Sequence, residues 1–354
     1  MPDRLSAART VLASAIAARA FPAAVVEVGD ATATRWREAF GVLSWEPDSA
    51  QTDEDTIFDL ASLTKVIVTA SLVMGLVEAG RLDIDGPLQD WLPDWRGTDR
   101  DAVTVRDLLE HCSGLTAWMP LFRDHAGRAD FQRTICTLPL EYAPRSRSIY
   151  SDLGFMLLGF VVEDAGGASL RQQFEGLAAS FRDRSECLAF DVASGARSRT
   201  APTEVDRWRG RLLIGEVHDE NAWALGGAAG HAGLFGTTRG VGAFARAVLN
   251  SLRGTGAVHL ASAQMMRAFV TRSAVAGSSR ALGWDTMLPT SSCGTRMSAR
   301  AFGHSGFTGT SLWIDPEAGI YVVFLTNRVH PKRENEAIRT IRPALHDAIM
   351  QAVS

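Results

Sequence analysis

The sequence predicts an α+β fold, a mixed α/β chain in which an antiparallel sheet made from the N- and C-terminal segments carries an inserted helical subdomain. Three observations predict it. Short β-branched and aromatic runs lie towards both ends of the 354 residues, helix signals dominate the middle, and the uncharged run Val66 to Val77 has the composition of a helix buried on all sides. The α/β part is expected over about 1–61 and 280–354 and the mainly helical part over about 62–279, with 1–354 forming one catalytic domain.

Met1 to Ala24 opens with an amphipathic helix. A short apolar stretch lies between Arg9 and Arg19, without the long apolar core or small-residue cleavage pattern of a leader. Ala23 to Val28 and Trp36 to Trp45 follow as a strand pair, bounded by Gly29, Asp30 and Pro47. Ser62 opens the next helix, which runs to about Ala79 and stops at Gly80. Further helices are expected at Val105 to His111 behind a Thr104 cap, Asp152 to Ala165 before Gly166-Gly167, and Leu170 to Phe181 behind Ser169. Val241 to Leu252 and Ala263 to Thr271 complete the helical middle. Strand signals return at Leu282 to Met287, Ser311 to Asp315 and Ile320 to Thr326, the last two joined by a turn over Pro316 to Gly319. A charged helix from Glu334 to about Met350 closes the chain, and a cleft is expected where the strand-bearing ends meet the helical middle.

Composition excludes several function classes. With 46% hydrophobic and 21% charged residues the chain is neither disordered nor fibrous. Thirty-six basic against 40 acidic residues give a formal charge of -4 with no long block of one sign, so nucleic acid is not an expected partner. The longest uncharged apolar run is shorter than the roughly 18 residues that span a bilayer, so no membrane segment is expected. Cys112, Cys136, Cys187 and Cys293 are widely spaced, a pattern of free thiols in a reducing compartment, and a cytoplasmic location is the expectation. The chain has no Gly-x-Ser-x-Gly elbow and no phosphate-binding glycine loop.

Only two of the 36 basic residues are lysine, Lys65 and Lys332, and the other 34 are arginine. A lysine kept at the start of a buried helix is informative in such a chain, because lysine gives up its proton when desolvated and arginine does not. Ser62 stands three residues earlier, on the same helical face, so its hydroxyl is a candidate nucleophile beside a candidate base. The plain reading of the pair is a helix cap and a solvated first-turn lysine. Tyr150, one of three tyrosines, sits in Tyr150-Ser151-Asp152 at a loop-to-helix junction. Gly303-His304-Ser305-Gly306, then Phe307 and Gly309, form a glycine-dense stretch before a strand, either a turn or a place where backbone approaches a ligand closely.

Together these three motifs resemble the serine β-lactamase and penicillin-binding-protein superfamily, whose signature is Ser-x-x-Lys, then Tyr-x-Asn or Ser-x-Asn, then Lys-Thr-Gly or a relative of it. Order and spacing are similar to the branch holding class C β-lactamases, D-alanyl-D-alanine carboxypeptidases and esterases. Phe58-Asp59-Leu60-Ala61, Thr104 to His111 with Ser113-Gly114-Leu115, and Gly230 to Phe235 add to the likeness, which covers about residues 10 to 330. The resemblance implies a β-lactamase/transpeptidase-like fold and a serine hydrolase that cleaves a small ester or a D-amino-acid amide through an acyl-enzyme on Ser62. Lys65 and Tyr150 would share the base role, and the backbone N–H groups of Ser62 and Phe307 would form the oxyanion hole. His304, Ser305, Gly306, Phe307, Asp152 and His218 would bind substrate, with no cofactor and no metal. A non-catalytic receptor for peptidoglycan fragments or another ligand, and a weak β-lactamase, are the alternatives.

Two positions depart from the family pattern. Asp152 stands where asparagine is usual, and its carboxylate would favour charged Lys65 and push base duty towards Tyr150. His304 stands where β-lactamases carry lysine, and a neutral imidazole attracts a substrate carboxylate less. Glu216, His218, Asp219, Glu220 and His231 form a further polar cluster without a recognised metal-ligand spacing. Glu216, His218 and Asp219 are expected to hydrogen-bond a loop walling the cleft, with His218 or His231 reaching towards substrate, and Trp118 and Trp223 are expected in the core.

Overall fold

In the computed structural model, which describes residues 2–181, 187–256 and 258–353, the two ends of the chain meet in one six-stranded sheet. Its strands are β1 (Ala23–Asp30), β2 (Thr34–Gly41), β3 (Asp285–Thr286), β4 (Phe302–Ser305), β5 (Ser311–Asp315) and β6 (Ile320–Thr326). They lie in the order β2-β1-β6-β5-β4-β3 with every neighbour antiparallel. The terminal strands β1 and β6 are therefore central, pairing from Ala24 with Thr326 to Asp30 with Ile320. Both are buried on two faces, which is why they read as nearly continuous apolar runs.

The helices are α1 (Ser6–Ala17), α2 (Ser71–Glu78), α3 (Val105–Leu109), α4 (Gly127–Thr137), α5 (Asp152–Gly166), α6 (Leu170–Ala178), α7 (Glu220–Ala224), α8 (Thr238–Arg253), α9 (Ala263–Val270) and α10 (Ile338–Val353). The side-chain period of two divides the sheet between two cores. Val26, Val28, Val322 and Phe324 pack with Leu12 of α1 and Leu345 and Ile349 of α10. Val25, Tyr321, Val323 and Leu325 join Phe244 and Val248 of α8 in the larger core that continues through the helices. Glu27 points into that larger core, fully buried, and is held by Arg37 at 2.7 Å and the Tyr321 hydroxyl at 2.7 Å. A buried carboxylate needs such partners.

Several boundaries differ from the sequence expectation. The helix expected from Ser62 to Ala79 is not uniform: Lys65–Ala70 is π-helical, and α2 begins only at Ser71. Its run of β-branched residues crowds an ordinary helix, and the Ser71 hydroxyl bonds the Val66 carbonyl five residues back at 2.8 Å. α4 gave no sequence signal, since no cap side chain precedes it and only Phe131, Ile135 and Cys136 are buried. The glycine-dense stretch around His304 is a strand, β4, up to Ser305, because Trp313 of the neighbouring strand lies across Gly303 where a side chain would stand. The strand expected over Leu282 to Met287 pairs only at Asp285–Thr286. Among the described residues no single helix is long and apolar enough to cross a membrane.

Candidate active site

Ser62 follows directly on a short strand, Phe58–Asp59, that pairs with Phe235–Gly236. The turn between them is tight: Ala61 takes a left-handed φ of 46°, a conformation costly for a residue with a Cβ. The Asp59 carboxylate holds that turn by accepting from the Ala61 N–H at 2.8 Å and, from across the cleft wall, the His218 N–H at 2.7 Å. Ser62 caps no helix. Its hydroxyl oxygen instead accepts from the Lys65 ammonium at 3.1 Å.

Lys65 is completely buried, and its three N–H bonds are all committed: to Ser62 Oγ, to Asp152 Oδ1 at 2.7 Å and to the His231 carbonyl at 3.0 Å. Its Nζ also lies 4.9 Å from the centre of the Tyr150 ring. Burial is the largest single influence and works against the ammonium, but the charge and hydrogen bond of Asp152 together with those of Tyr150 outweigh it, so the lysine pKa is raised above its ordinary value. Lys65 therefore rests as an ammonium, as the carboxylate at position 152 led one to expect.

Tyr150 immediately precedes α5, whose first turn is capped by the Ser151 hydroxyl accepting from the Gly154 N–H at 3.2 Å. Its ring leans on His111, 4.7 Å between centroids, and His111 Nδ1 accepts from the Ser151 N–H at 3.0 Å. His111 thus fixes the junction that aims the phenol, a function no sequence signal announced. The Arg280 guanidinium also lies over this ring, 5.0 Å from its centre. Burial pushes the Tyr150 pKa up, Lys65 pulls it down and Asp152 pushes it up again, and the net direction is upwards.

The opposite wall is β4 and the bend after it. His304 is buried, with Nδ1 2.9 Å from the Ser305 carbonyl and Nε2 without a partner among the described residues. Burial, Arg280 and Lys65 all lower its pKa well below the usual range, so the imidazole is neutral at physiological pH. The bend is stitched to the strand before Ser62: Thr308 Oγ1 donates to the Asp59 carbonyl at 2.7 Å and Thr310 Oγ1 to the Leu60 carbonyl at 3.0 Å. Gly306 lies in that seam, where a Cβ would stand 2.6 Å from the Leu60 carbonyl oxygen and against Thr310 Oγ1. Gly306→Ala is accordingly expected to lower the thermal unfolding midpoint by an amount equivalent to about 1–3 kcal/mol. An unchanged midpoint would show that the seam is slack.

These elements enclose a cleft of about 560 Å³. Ser62, Tyr150, Asp152, His218, His304, Ser305, Gly306 and Phe307 all line it, and Lys65 stands behind its wall. Neither the Ser62 nor the Phe307 N–H donates to an acceptor among the described residues. Arg328 and Arg342, which motif reading passed over, also line the cleft; both are buried and neither forms an ion pair among the described residues. They lie 266 and 280 positions beyond Ser62, so only folding reveals them.

The polar cluster is split by the structure. His218 lines the cleft and its Nε2 meets Glu204 at 2.8 Å, whereas Glu216 turns away to Arg211 at 2.7 Å. Asp219 caps α7 and meets His231 Nε2 at 2.9 Å, an arrangement that, against the cost of burial, keeps its carboxyl well below the usual range. His231 is buried off the cleft and meets Lys65 only through its carbonyl. Trp118 and Trp223 are not core residues: they are 45% and 41% exposed, because the loop and short helix carrying them form the cleft rim. No three His, Cys, Asp or Glu side chains gather as a metal site among the described residues.

This fold is that of the β-lactamase/transpeptidase proteins. The chain belongs to the β-lactamase family, whose model matches residues 8–346. A proposed D-alanyl-D-alanine carboxypeptidase of Escherichia coli (strain K12) is 32% identical over 324 residues, 82% of this chain and 72% of the relative. Among solved structures, a penicillin-binding protein homolog from Caulobacter crescentus superimposes with a TM-score of 0.77 at 20% identity, covering 99% of this chain and 98% of the other. EstCE1, a hydrolase with promiscuous acyltransferase activity, gives a TM-score of 0.73 at 20% identity over 97% of this chain and 99% of its own.

Proposed function

We propose that this protein is a serine hydrolase that cleaves small esters or D-amino-acid amides through an acyl-enzyme on Ser62. The observation that carries the reading is the fully buried Lys65 ammonium, bonded at once to Ser62 Oγ and Asp152 at the back of an open cleft. An ammonium is costly to bury, and a structural role would be served by an apolar residue. Ser62 Oγ attacks the substrate carbonyl carbon while its proton passes to the Tyr150 phenolate, which the adjacent ammonium stabilises. The carbonyl oxygen becomes an oxyanion between the free N–H groups of Ser62 and Phe307. Tyr150 then gives the proton to the departing alkoxide or amine, and water repeats the sequence in reverse to free Ser62.

Intact-protein mass after brief exposure to a p-nitrophenyl ester and, separately, to a penicillin tests this reading, with Ser62→Ala alongside. An ester-derived adduct that disappears in the variant, without a penicillin adduct, supports the esterase-like or peptidase-like function. A persistent penicillin adduct moves the assignment to penicillin recognition. No adduct and no turnover with either would sink the hydrolase reading in favour of a ligand receptor.

The electrostatics set a pH dependence. Tyr150 and Lys65 both hold their protons more tightly than usual, so the phenolate form is scarce near neutrality and kcat/KM is expected to climb into the alkaline range. Asp152 raises both pKa values. Asp152→Asn should therefore move the rising limb to lower pH, which a pH profile of kcat/KM reads directly. A limb that stays in place would remove Asp152 from the proton path.

A further inference from the structure

Six large apolar side chains are exposed among the described residues: Trp118, Val205, Trp208, Leu212, Trp223 and Phe307. Trp118 and Phe307 line the cleft itself. From Trp118 the chain leads to Phe122, whose ring meets Trp208 at 4.6 Å, and Trp208 meets Trp223 at 5.3 Å. Val205 and Leu212 face each other across the hairpin that carries Trp208. Exposed apolar residues are ordinarily scattered, and a contiguous set marks a binding surface.

The rim is built rather than loose. Asn221 of α7 bonds both the Phe122 N–H at 2.9 Å and the Met119 carbonyl at 2.8 Å, locking the Trp118 loop to the helix that carries Trp223. Arg209 ties the hairpin to the cleft wall by donating to the Val217 and His218 carbonyls, each at 2.7 Å. Phe307 stacks on His218 with centroids 5.7 Å apart, so the apolar path begins beside the candidate oxyanion hole.

We propose that this rim binds an extended apolar arm of the substrate, running from the carbonyl at Ser62 out over Trp118 to Trp208 and Trp223; this rests on the hydrolase reading above. Continuity with the cleft favours that occupant. A second copy seated here would close the entrance to Ser62. A membrane surface would be served by a basic collar, whereas two of the three arginines of the hairpin are neutralised, Arg209 by Asp206 and Arg211 by Glu216, which among the described residues leaves Arg207 alone. The arm is aliphatic or aryl, since Trp and Phe faces offer dispersion area and few hydrogen bonds.

The test uses two ester series, p-nitrophenyl acetate to octanoate and the acetates of methanol to octanol. In one of them kcat/KM is expected to rise about twofold per methylene, half the logarithmic gain of complete burial. Trp208→Ser and Trp223→Ser should flatten that rise while leaving the shortest ester within about twofold of wild type, which also reports that they fold. Neutral n-alkyl amides titrated against tryptophan fluorescence of Ser62→Ala give a readout independent of turnover, with affinity rising along the series and the rise lost when Trp208→Ser is added. Equal slopes in wild type and variants, or flat profiles throughout, overturn the proposal. So does a dimer, or flotation with lipid vesicles, that the Trp variants abolish while the slopes persist. Length-dependent amide binding without hydrolysis of any ester supports the rim and defeats the hydrolase reading instead.

Discussion

Ser62→Ala is expected to lower kcat/KM by at least about 10⁴-fold on every ester or amide that the wild type turns over. The magnitude follows from the geometry. Ser62 Oγ lies against the Lys65 ammonium and faces the cleft, whereas Ser305 of the opposite wall has no hydrogen bond to Lys65 among the described residues and His304 is a neutral imidazole. Removing the oxygen leaves the free N–H groups and the cleft intact, so residual polarisation of the carbonyl remains but no covalent path does. The variant should keep its unfolding midpoint, because Ser62 caps no helix and its hydroxyl serves as one of three acceptors for Lys65. Steady-state kinetics with a thermal melt checks both halves. Turnover within a fewfold of wild type would dismiss Ser62 as nucleophile.

Lys65→Met should show the second large effect, on two observables at once. Catalysis is expected to fall about 10³-fold, since the Tyr150 phenolate loses the ammonium that makes it accessible. Stability is expected to fall by about 3 kcal/mol, because Asp152 loses its partner at 2.7 Å and the His231 carbonyl is left unsatisfied. The double variant Lys65→Met/Asp152→Asn separates the two. It should recover most of the stability, having no unpaired carboxylate, and none of the activity. Denaturant unfolding and kinetics on both variants decide the matter. Recovery of activity in the double variant would mean that Lys65 serves only to neutralise Asp152.

Much of this site was legible because its chemistry is local in sequence. The spacing of Ser62 and Lys65 places both on one turn whatever the rest of the chain does, and in an arginine-rich composition a lysine at that position stands out. Ser151 announced a helix start, and Tyr150 beside it followed. β1 and β6 were equally readable, since each strand buried on both faces carries its own nearly continuous apolar run. Less legible were elements whose stability comes from neighbours. α4 has a weak apolar face, β4 is glycine-dense, and the π-helical turn depends on how a β-branched run packs.

The sequence by itself determined the fold class, the family and the three motifs, because periodicity and short spacings are properties of the chain alone. Only the tertiary structure decided the state of those motifs. It sets Asp152, 87 residues from Lys65, within hydrogen-bond reach, and so makes the lysine an ammonium. It brings Arg328 and Arg342 to the cleft and turns Trp118, Trp208 and Trp223 outwards along its rim. The physical reason is common to all of these. Charge state and exposure depend on what lies within a few ångströms in space, and a side chain's own neighbours in sequence supply only part of that surrounding.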